Sequence, residues 1–348
     1  MSTAETLLSV EDLGVRFHTD RGVVTAVDSV SFELRAGEVL ALVGESGCGK
    51  TVSTQTIMGL TRSANSEFEG RILYGGKDLL SAGEQAMQSV RGAEIALIPQ
   101  DPMTSLNPVQ RIGDQIGEQI QAHARVSNAD ALAHTVDLLE RVGIPRARER
   151  VRAYPHEFSG GMRQRVMIAM ALSCEPRILI ADEPTTALDV TIQAQIVALI
   201  ADLRERLSAG VILVTHDLGV VADVADRVAV MYAGRIVETG TLDQIFYDPQ
   251  HPYTWGLLGS ITRVDSERPV RLPAIAGMPP SLLSPPSGCH FRPRCPHEFA
   301  RCAEAPALEQ RGGADPGHRD RCWLDPEEKR TRREVLGQIG LEAKGVIA

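Results

Sequence analysis

A chain of 348 residues, 43% of them hydrophobic, carries enough apolar mass for one substantial core and a small appended unit. Its formal net charge of −9 divides into −11 over the first 250 residues and +2 over the rest, and excludes broad attraction to nucleic acid or anionic lipid. With no N-terminal apolar h-region and no run of about 18 apolar residues, neither a secretory leader nor a membrane span is expected, and the cytoplasm is the expected compartment.

In chain order, Leu8 to Phe17 and Val23 to Leu34 are apolar, partly alternating and broken at Asp20-Arg21-Gly22, which predicts two antiparallel strands. The buried-strand pattern of Glu38-Val39-Leu40-Ala41-Leu42-Val43 runs straight into Gly44-Glu45-Ser46-Gly47-Cys48-Gly49-Lys50-Thr51 and then a helix-compatible stretch to Leu60. Strand, glycine-rich loop and helix in that order make a phosphate-binding loop. Its glycines let backbone N–H groups turn inward around phosphate oxygens. Lys50 neutralises the β- and γ-phosphates, and Thr51 offers its hydroxyl to Mg²⁺. Residues Gly44 to Thr51 and Ser53 are therefore expected to bind ATP. Cys48 reads as a small residue tolerated among glycines, not as a redox switch.

Further on, the strand-like Ile95 to Pro99 delivers Gln100, and Arg177-Ile178-Leu179-Ile180-Ala181-Asp182-Glu183-Pro184 is an apolar strand ending in two adjacent carboxylates. Asp182 can hold Mg²⁺ through water, while Glu183, pointing the other way, can polarise the water that attacks the γ-phosphate. The β-branched segment Val211 to Thr215 ends in His216.

Between the two halves lies Phe158-Ser159-Gly160-Gly161-Met162-Arg163-Gln164, which resembles the signature motif of ATP-binding cassette (ABC) ATPases, with Met162 where that family usually has Gln. Gln100 resembles the family's Q-loop, Ala187-Leu188-Asp189 its D-loop and His216 its switch histidine. The resemblance covers about residues 7 to 250. It implies an α/β fold: a RecA-like phosphate-loop core, an antiparallel β subdomain and a helical subdomain inserted at about residues 102–172. A small irregular Pro- and Cys-rich domain would follow at 251–348. It also implies catalytic roles for Glu183, His216, Lys50 and Gln100, with Mg²⁺ held through Thr51, Gln100 and Asp182. Ser159 resembles an N-cap whose helix end faces the γ-phosphate of a second cassette, so Ser159, Gly160, Gly161, Met162 and Asp189 would act across a dimer. Phe17 matches the position that stacks on adenine, with a core phenylalanine as the alternative.

Gln100-Asp101-Pro102-Met103-Thr104-Ser105-Leu106-Asn107-Pro108 and His251-Pro252-Tyr253-Thr254 look like segments of dipeptide and oligopeptide importer ATPases. That resemblance implies a peripheral subunit on the cytoplasmic face of the membrane, with two transmembrane permease subunits and a second ABC ATPase, itself or a homologue. It also implies an extracytoplasmic peptide-binding protein as an indirect partner, and no nucleic acid. Importers of nickel or glutathione share much of the pattern. A soluble ABC ATPase working on DNA or ribosomes is disfavoured by the lack of coiled coils, zinc hooks or a second cassette. A catalytically silent cassette is disfavoured by the full set of hydrolytic residues.

The tail holds 12 of the 20 prolines and the spacing Cys289-x5-Cys295-x6-Cys302-x19-Cys322. A reducing compartment disfavours disulfides. Structural zinc favours cysteine pairs two to four residues apart, and none occurs here. A cubane spreads its ligands more widely, although this spacing is not that of ferredoxins. Some importer ATPases that the chain resembles carry a [4Fe-4S] cluster on four tail cysteines. The resemblance thus implies a cluster on Cys289, Cys295, Cys302 and Cys322, with Zn²⁺ as the alternative and thiols without a metal, or a disulfide, as the remaining readings. His290, His297 and His318 are expected to be surface residues.

Overall fold

The computed structural model describes residues 5–185, 190–260, 275–310 and 317–337. Strands β1 (Thr6–Thr19) and β2 (Gly22–Arg35) form a hairpin paired from Thr6–Arg35 to Thr19–Gly22. The all-buried β3 (Val39–Val43) feeds helix α1 (Lys50–Ile57). Strands β4 (Ser66–Tyr74) and β5 (Lys77–Asp78) complete an antiparallel layer in the order β2-β1-β4-β5. Helix α2 (Glu84–Val90) leads to β6 (Ile95–Ile98).

Between β6 and the next strand lie α3 (Pro102–Ser105), α4 (Ile112–His123), α5 (Asn128–Arg141), α6 (Ala147–Arg150) and α7 (Gly160–Leu172). The chain then returns through β7 (Ile178–Asp182), α8 (Val190–Leu207), β8 (Gly210–Thr215), α9 (Leu218–Val224), β9 (Arg227–Tyr232), β10 (Arg235–Thr241) and α10 (Leu242–Tyr247). The tail contributes α11 (Pro252–Gly259), β11 (Arg319–Asp320) and α12 (Pro326–Gly337).

The second sheet has the order β11-β10-β9-β3-β8-β7-β6, with parallel pairing from β9 through β6. Strands buried on both faces need uninterrupted apolar runs, which is why VLALV, ILIAD and GVILVT read as continuous and not alternating. One core joins this sheet to the helical region, and a second joins it to the antiparallel layer. The phosphate loop, Glu183 and His216 all emerge at the carboxyl ends of β3, β7 and β8, where open α/β sheets bind ligands.

The tail differs from the small separate domain expected from residue 251. Strand β11 extends the main sheet through Glu238–Asp320 and Thr239–Arg319, and Tyr253 and Phe291 are buried in the main core. Cys289 and Cys295 pack against that same core. Among the described residues the tail's own buried apolar cluster is only Trp255, Cys322 and Leu324. A segment with so few large apolar residues cannot repay its ordering entropy alone, so it shares the core of the sheet.

Candidate functional site

The phosphate loop is shaped by steric necessity as much as by its ligand chemistry. Gly44 and Gly49 have φ of +154° and +105°, and a Cβ at either would collide with a backbone carbonyl, that of Met231 or of Ala26. The loop therefore lies against β9 and β2 in a way that only glycine permits. Lys50 Nζ donates to the carbonyls of Gly44 (2.7 Å) and Glu45 (3.1 Å), curling the loop around its own ammonium. Ser53 is fully buried and donates to Gly49 O at 3.0 Å, bracing the first turn of α1 from beneath. Cys48 is also buried, and that burial pushes its thiol up.

A cleft of about 610 Å³ opens above the loop, lined by Gly44, Glu45, Ser46, Gly47, Gly49, Lys50 and Thr51 together with Gln100, Glu183 and His216. Asp182, at 2% exposure, sits behind this wall and accepts a hydrogen bond from Thr51 Oγ1 at 3.0 Å. Burial raises its carboxyl, opposed by the Thr51 bond and by Lys50. Glu183 has φ of +48°, a left-handed conformation costing about 1 kcal/mol or more for a non-glycine residue. That turn separates the two acids. Asp182 faces Thr51, whereas the Glu183 carboxylate accepts from Gln100 Nε2 at 2.8 Å and lies 3.5 Å from His216 Nδ1. A carboxylate held between an amide and an imidazole above a phosphate loop can orient and polarise a water.

Ser159 caps α7, its Oγ accepting the Met162 N–H at 3.4 Å, and no acid occupies the first turn. The positive end of that helix therefore carries no carboxylate of its own. Ser159 and Gly160 are exposed, Gly161 and Met162 are half-buried, and none of the four lines the cleft. Asp189, with Ala187 and Leu188, lies outside the described residues. Phe17 pairs with Val24 across the hairpin and packs on the core of the antiparallel layer, and it is not among the residues that line the cleft.

Sequence reasoning missed the tail's share of the cleft. Leu257, Ser260, Ile275 and Leu282 form part of its wall. The Tyr253 hydroxyl accepts the Glu45 N–H at 2.9 Å, and Arg294 grips the Glu45 carboxylate with bonds of 2.6 and 3.0 Å. Only the HPYT segment carried any signal, and that was one of resemblance, not of contact.

The four tail cysteines are free thiols, and all four line one small cavity with His251, Phe291, His297 and Trp323. Burial pushes up the thiols of Cys289, Cys295 and Cys322, the latter two to about 12, with neighbouring thiols of the set adding to each rise. Among the described residues no group of three or more His, Cys, Asp or Glu side chains is arranged to hold a metal ion. The three histidines are not the surface residues expected. His290 is buried with Nδ1 at 2.9 Å from Ala233 O, and His318 is buried 2.8 Å from Glu238. His297 is half-buried, its Nε2 enclosed without a hydrogen-bond partner among the described residues.

No described helix is long and apolar enough to cross a membrane. Residues 27–186 match the family described as "ABC transporter", and residues 237–302 match "Oligopeptide/dipeptide transporter, C-terminal region". The chain is 52% identical to the dipeptide transport ATP-binding protein DppD of Bacillus subtilis, over 95% of this chain and 98% of that one. It is 49% identical to the oligopeptide transport ATP-binding protein OppD of Escherichia coli, over 93% and 95% of the two. Among solved structures, the dimeric cassette MJ0796 bound to ADP and Pi superposes with a TM-score of 0.61 at 23% identity, over 68% of this chain and 98% of that one. CbiO1 of Clostridium perfringens, part of the transporter complex cbiONQ, superposes at 0.59 with 27% identity, over 70% and 92%. Fold, cleft and both halves of the sequence converge, and the chain belongs to the ATP-binding subunits of ABC transporters, in the branch of the dipeptide and oligopeptide transporters.

Proposed function

We propose that the chain is the ATP-hydrolysing subunit of an importer of dipeptides or oligopeptides, seated on the cytoplasmic face of the membrane. The observation that carries the chemistry is Glu183 held between Gln100 and His216 at the mouth of the phosphate loop. Lys50 and the loop N–H groups bind the β- and γ-phosphates. Thr51, Asp182 and Gln100 would hold Mg²⁺, which supplies charge neutralisation at the phosphates. Glu183 accepts the proton of the attacking water, and His216 contacts the γ-phosphate. Phe17 is retained as the candidate for adenine.

The open N-terminus of α7 is the reason for a second cassette. Ser159, Gly160, Gly161 and Met162 stand outside their own cleft, and with Asp189 they complete the site of a second ATPase, either a copy or a homologue. Closing of two such cassettes on ATP drives two permease subunits, to which an extracytoplasmic binding protein delivers peptide. In the tail, Cys289, Cys295, Cys302 and Cys322 all line one cavity, and that shared lining supports a [4Fe-4S] cluster on the four thiols, with Zn²⁺ as the alternative. Such a group would supply a covalent cross-link to a segment with little core of its own.

Glu183→Gln tests the hydrolytic role. Nucleotide binding is expected to persist while turnover falls by about 10²–10⁴, the usual worth of a general base. Near-normal hydrolysis in that variant would remove Glu183 from the mechanism. Peptide-stimulated hydrolysis by the chain reconstituted with its permeases tests the transport assignment, and stimulation by nickel or glutathione alone would replace it.

A further inference from the structure

The second residue of the phosphate loop is an acid placed where a polyanion is to bind. Glu45 lines the cleft, and its neighbours Gly44 and Ser46 do too. An unpaired carboxylate there would repel the incoming phosphates through a partly dehydrated medium. Its counter-charge comes from the far end of the chain. Arg294 donates to both carboxylate oxygens, Nη1 to Oε2 at 2.6 Å and Nη2 to Oε1 at 3.0 Å, in the paired fork that guanidinium makes with carboxylate. Its side chain is only 4% exposed.

The guanidinium is itself fully committed. It also donates to the carbonyls of Ala276 (2.9 Å) and Ile275 (3.2 Å) and to the Tyr232 hydroxyl (3.4 Å), and it lies 5.7 Å from the centre of the Tyr232 ring. Tyr232, Tyr253 and Phe291 pack ring against ring at 4.6–5.5 Å, and Tyr253 takes the Glu45 N–H. One guanidinium thus fixes both the loop and the Ile275 wall of the same cleft.

From this we infer that Arg294 is a positioning residue of the nucleotide site, neutralising Glu45 and holding the loop in the shape that receives phosphate. This rests on the assignment of the cleft to ATP. Without the guanidinium, Glu45 keeps its charge beside the phosphates and loses the fork that directs it away. A purely structural clasp between tail and core makes a different prediction, since it would alter melting temperature but leave nucleotide affinity untouched.

The test is the binding of Mg²⁺ with a non-hydrolysable ATP analogue to the full chain, alongside the KM and kcat of hydrolysis. Arg294→Ala is expected to weaken binding about tenfold and to raise KM correspondingly, with kcat changed less than about twofold, following the strength of a close charge pair in a partly screened site. In a Glu45→Gln background the same Arg294→Ala change is expected to cost less than about threefold, because no charge is left to neutralise. Arg294→Lys, which keeps the charge without the fork, should bind between the two and keeps the test open if the alanine variant fails to fold. Equal affinity of wild type and Arg294→Ala, or an equal cost in the Glu45→Gln background, would overturn the role of Arg294. A wild-type chain that binds no nucleotide in the same titration would overturn the ATP assignment, and this inference with it.

Discussion

Replacing Lys329 with Met should release the tail from the sheet at a cost far above that of an ordinary ion pair. Lys329 Nζ donates to both oxygens of Asp320, at 2.7 and 2.8 Å, and both side chains are 1% exposed. Asp320 is the residue of β11 that pairs with Glu238 of β10, so this contact sits at the junction of tail and sheet. An exposed pair would be worth less than about 1 kcal/mol. Here water cannot replace the lost ammonium. Asp320 would retain the Cys322 N–H at 2.9 Å as a donor, with buried Glu238 nearby. Loss of one partner of a buried pair costs about 3–5 kcal/mol. With a urea slope near 2 kcal/mol/M, the midpoint should fall by roughly 2 M.

The chain provides its own reporter, since its two tryptophans, Trp255 and Trp323, both lie in the tail. Tryptophan fluorescence in urea therefore follows release of the tail, while nucleotide binding follows the cleft. The paired change Asp320→Leu with Lys329→Met should recover most of the loss, because it removes both charges together. A Lys329→Met midpoint shift corresponding to less than about 1 kcal/mol, or a double variant as unstable as the single, would refute the reasoning.

The remaining predictions concern the tail cysteines and the second cassette. Anaerobically purified protein should show a broad absorbance near the visible edge with iron and sulfide, and Cys302→Ser should lose it; a colourless, zinc-loaded wild type would replace the cluster with zinc. Ser159→Arg and Lys50→Ala should each abolish hydrolysis, yet a mixture should regain a fraction of it, because one site of the mixed dimer keeps both an intact loop and an intact signature. No regained activity on mixing would count against the shared site.

The parts of the site legible in the sequence are those that physics confines to a few consecutive residues. A phosphate loop needs its glycines, lysine and hydroxyl within one turn, and the acids Asp182 and Glu183 need only a strand end, so their positions follow from local pattern. Gln100 and His216 are legible for the same reason, each following a short apolar strand. Arg294 and Tyr253 are not, because they reach Glu45 across 249 and 208 residues of chain, and nothing in the local run Pro293-Arg294-Cys295-Pro296 marks a partner so distant. The two-residue β11 is equally silent, being too short for any alternation to register. The burial of the tail histidines is not legible either, because a proline-rich stretch reads as solvated, whereas His318 meets buried Glu238 and His290 meets the Ala233 carbonyl.

The placement of Arg294 also bears on why the tail is woven into the cassette and not merely tethered to it. The residue stands in a short turn, Arg292–Arg294, directly between Cys289 and Cys295 in the chain. The Cys295 N–H donates to Arg292 O, and the Arg294 N–H donates to Phe291 O, so the turn has little freedom to move its guanidinium independently of the flanking cysteines. Thiols tied to a common centre would restrict that turn further and, through it, the Glu45 carboxylate. Strand β11 and the Lys329–Asp320 pair hold the other end of the same segment against β10. The tail is thus anchored at the phosphate loop by Arg294, between Cys289 and Cys295, and at the sheet edge by β11 and Lys329, with Cys302 between the two anchors and Cys322 just after β11. Loss of order at Cys289 and Cys295 would therefore be passed through the Arg292–Arg294 turn to the Glu45 carboxylate.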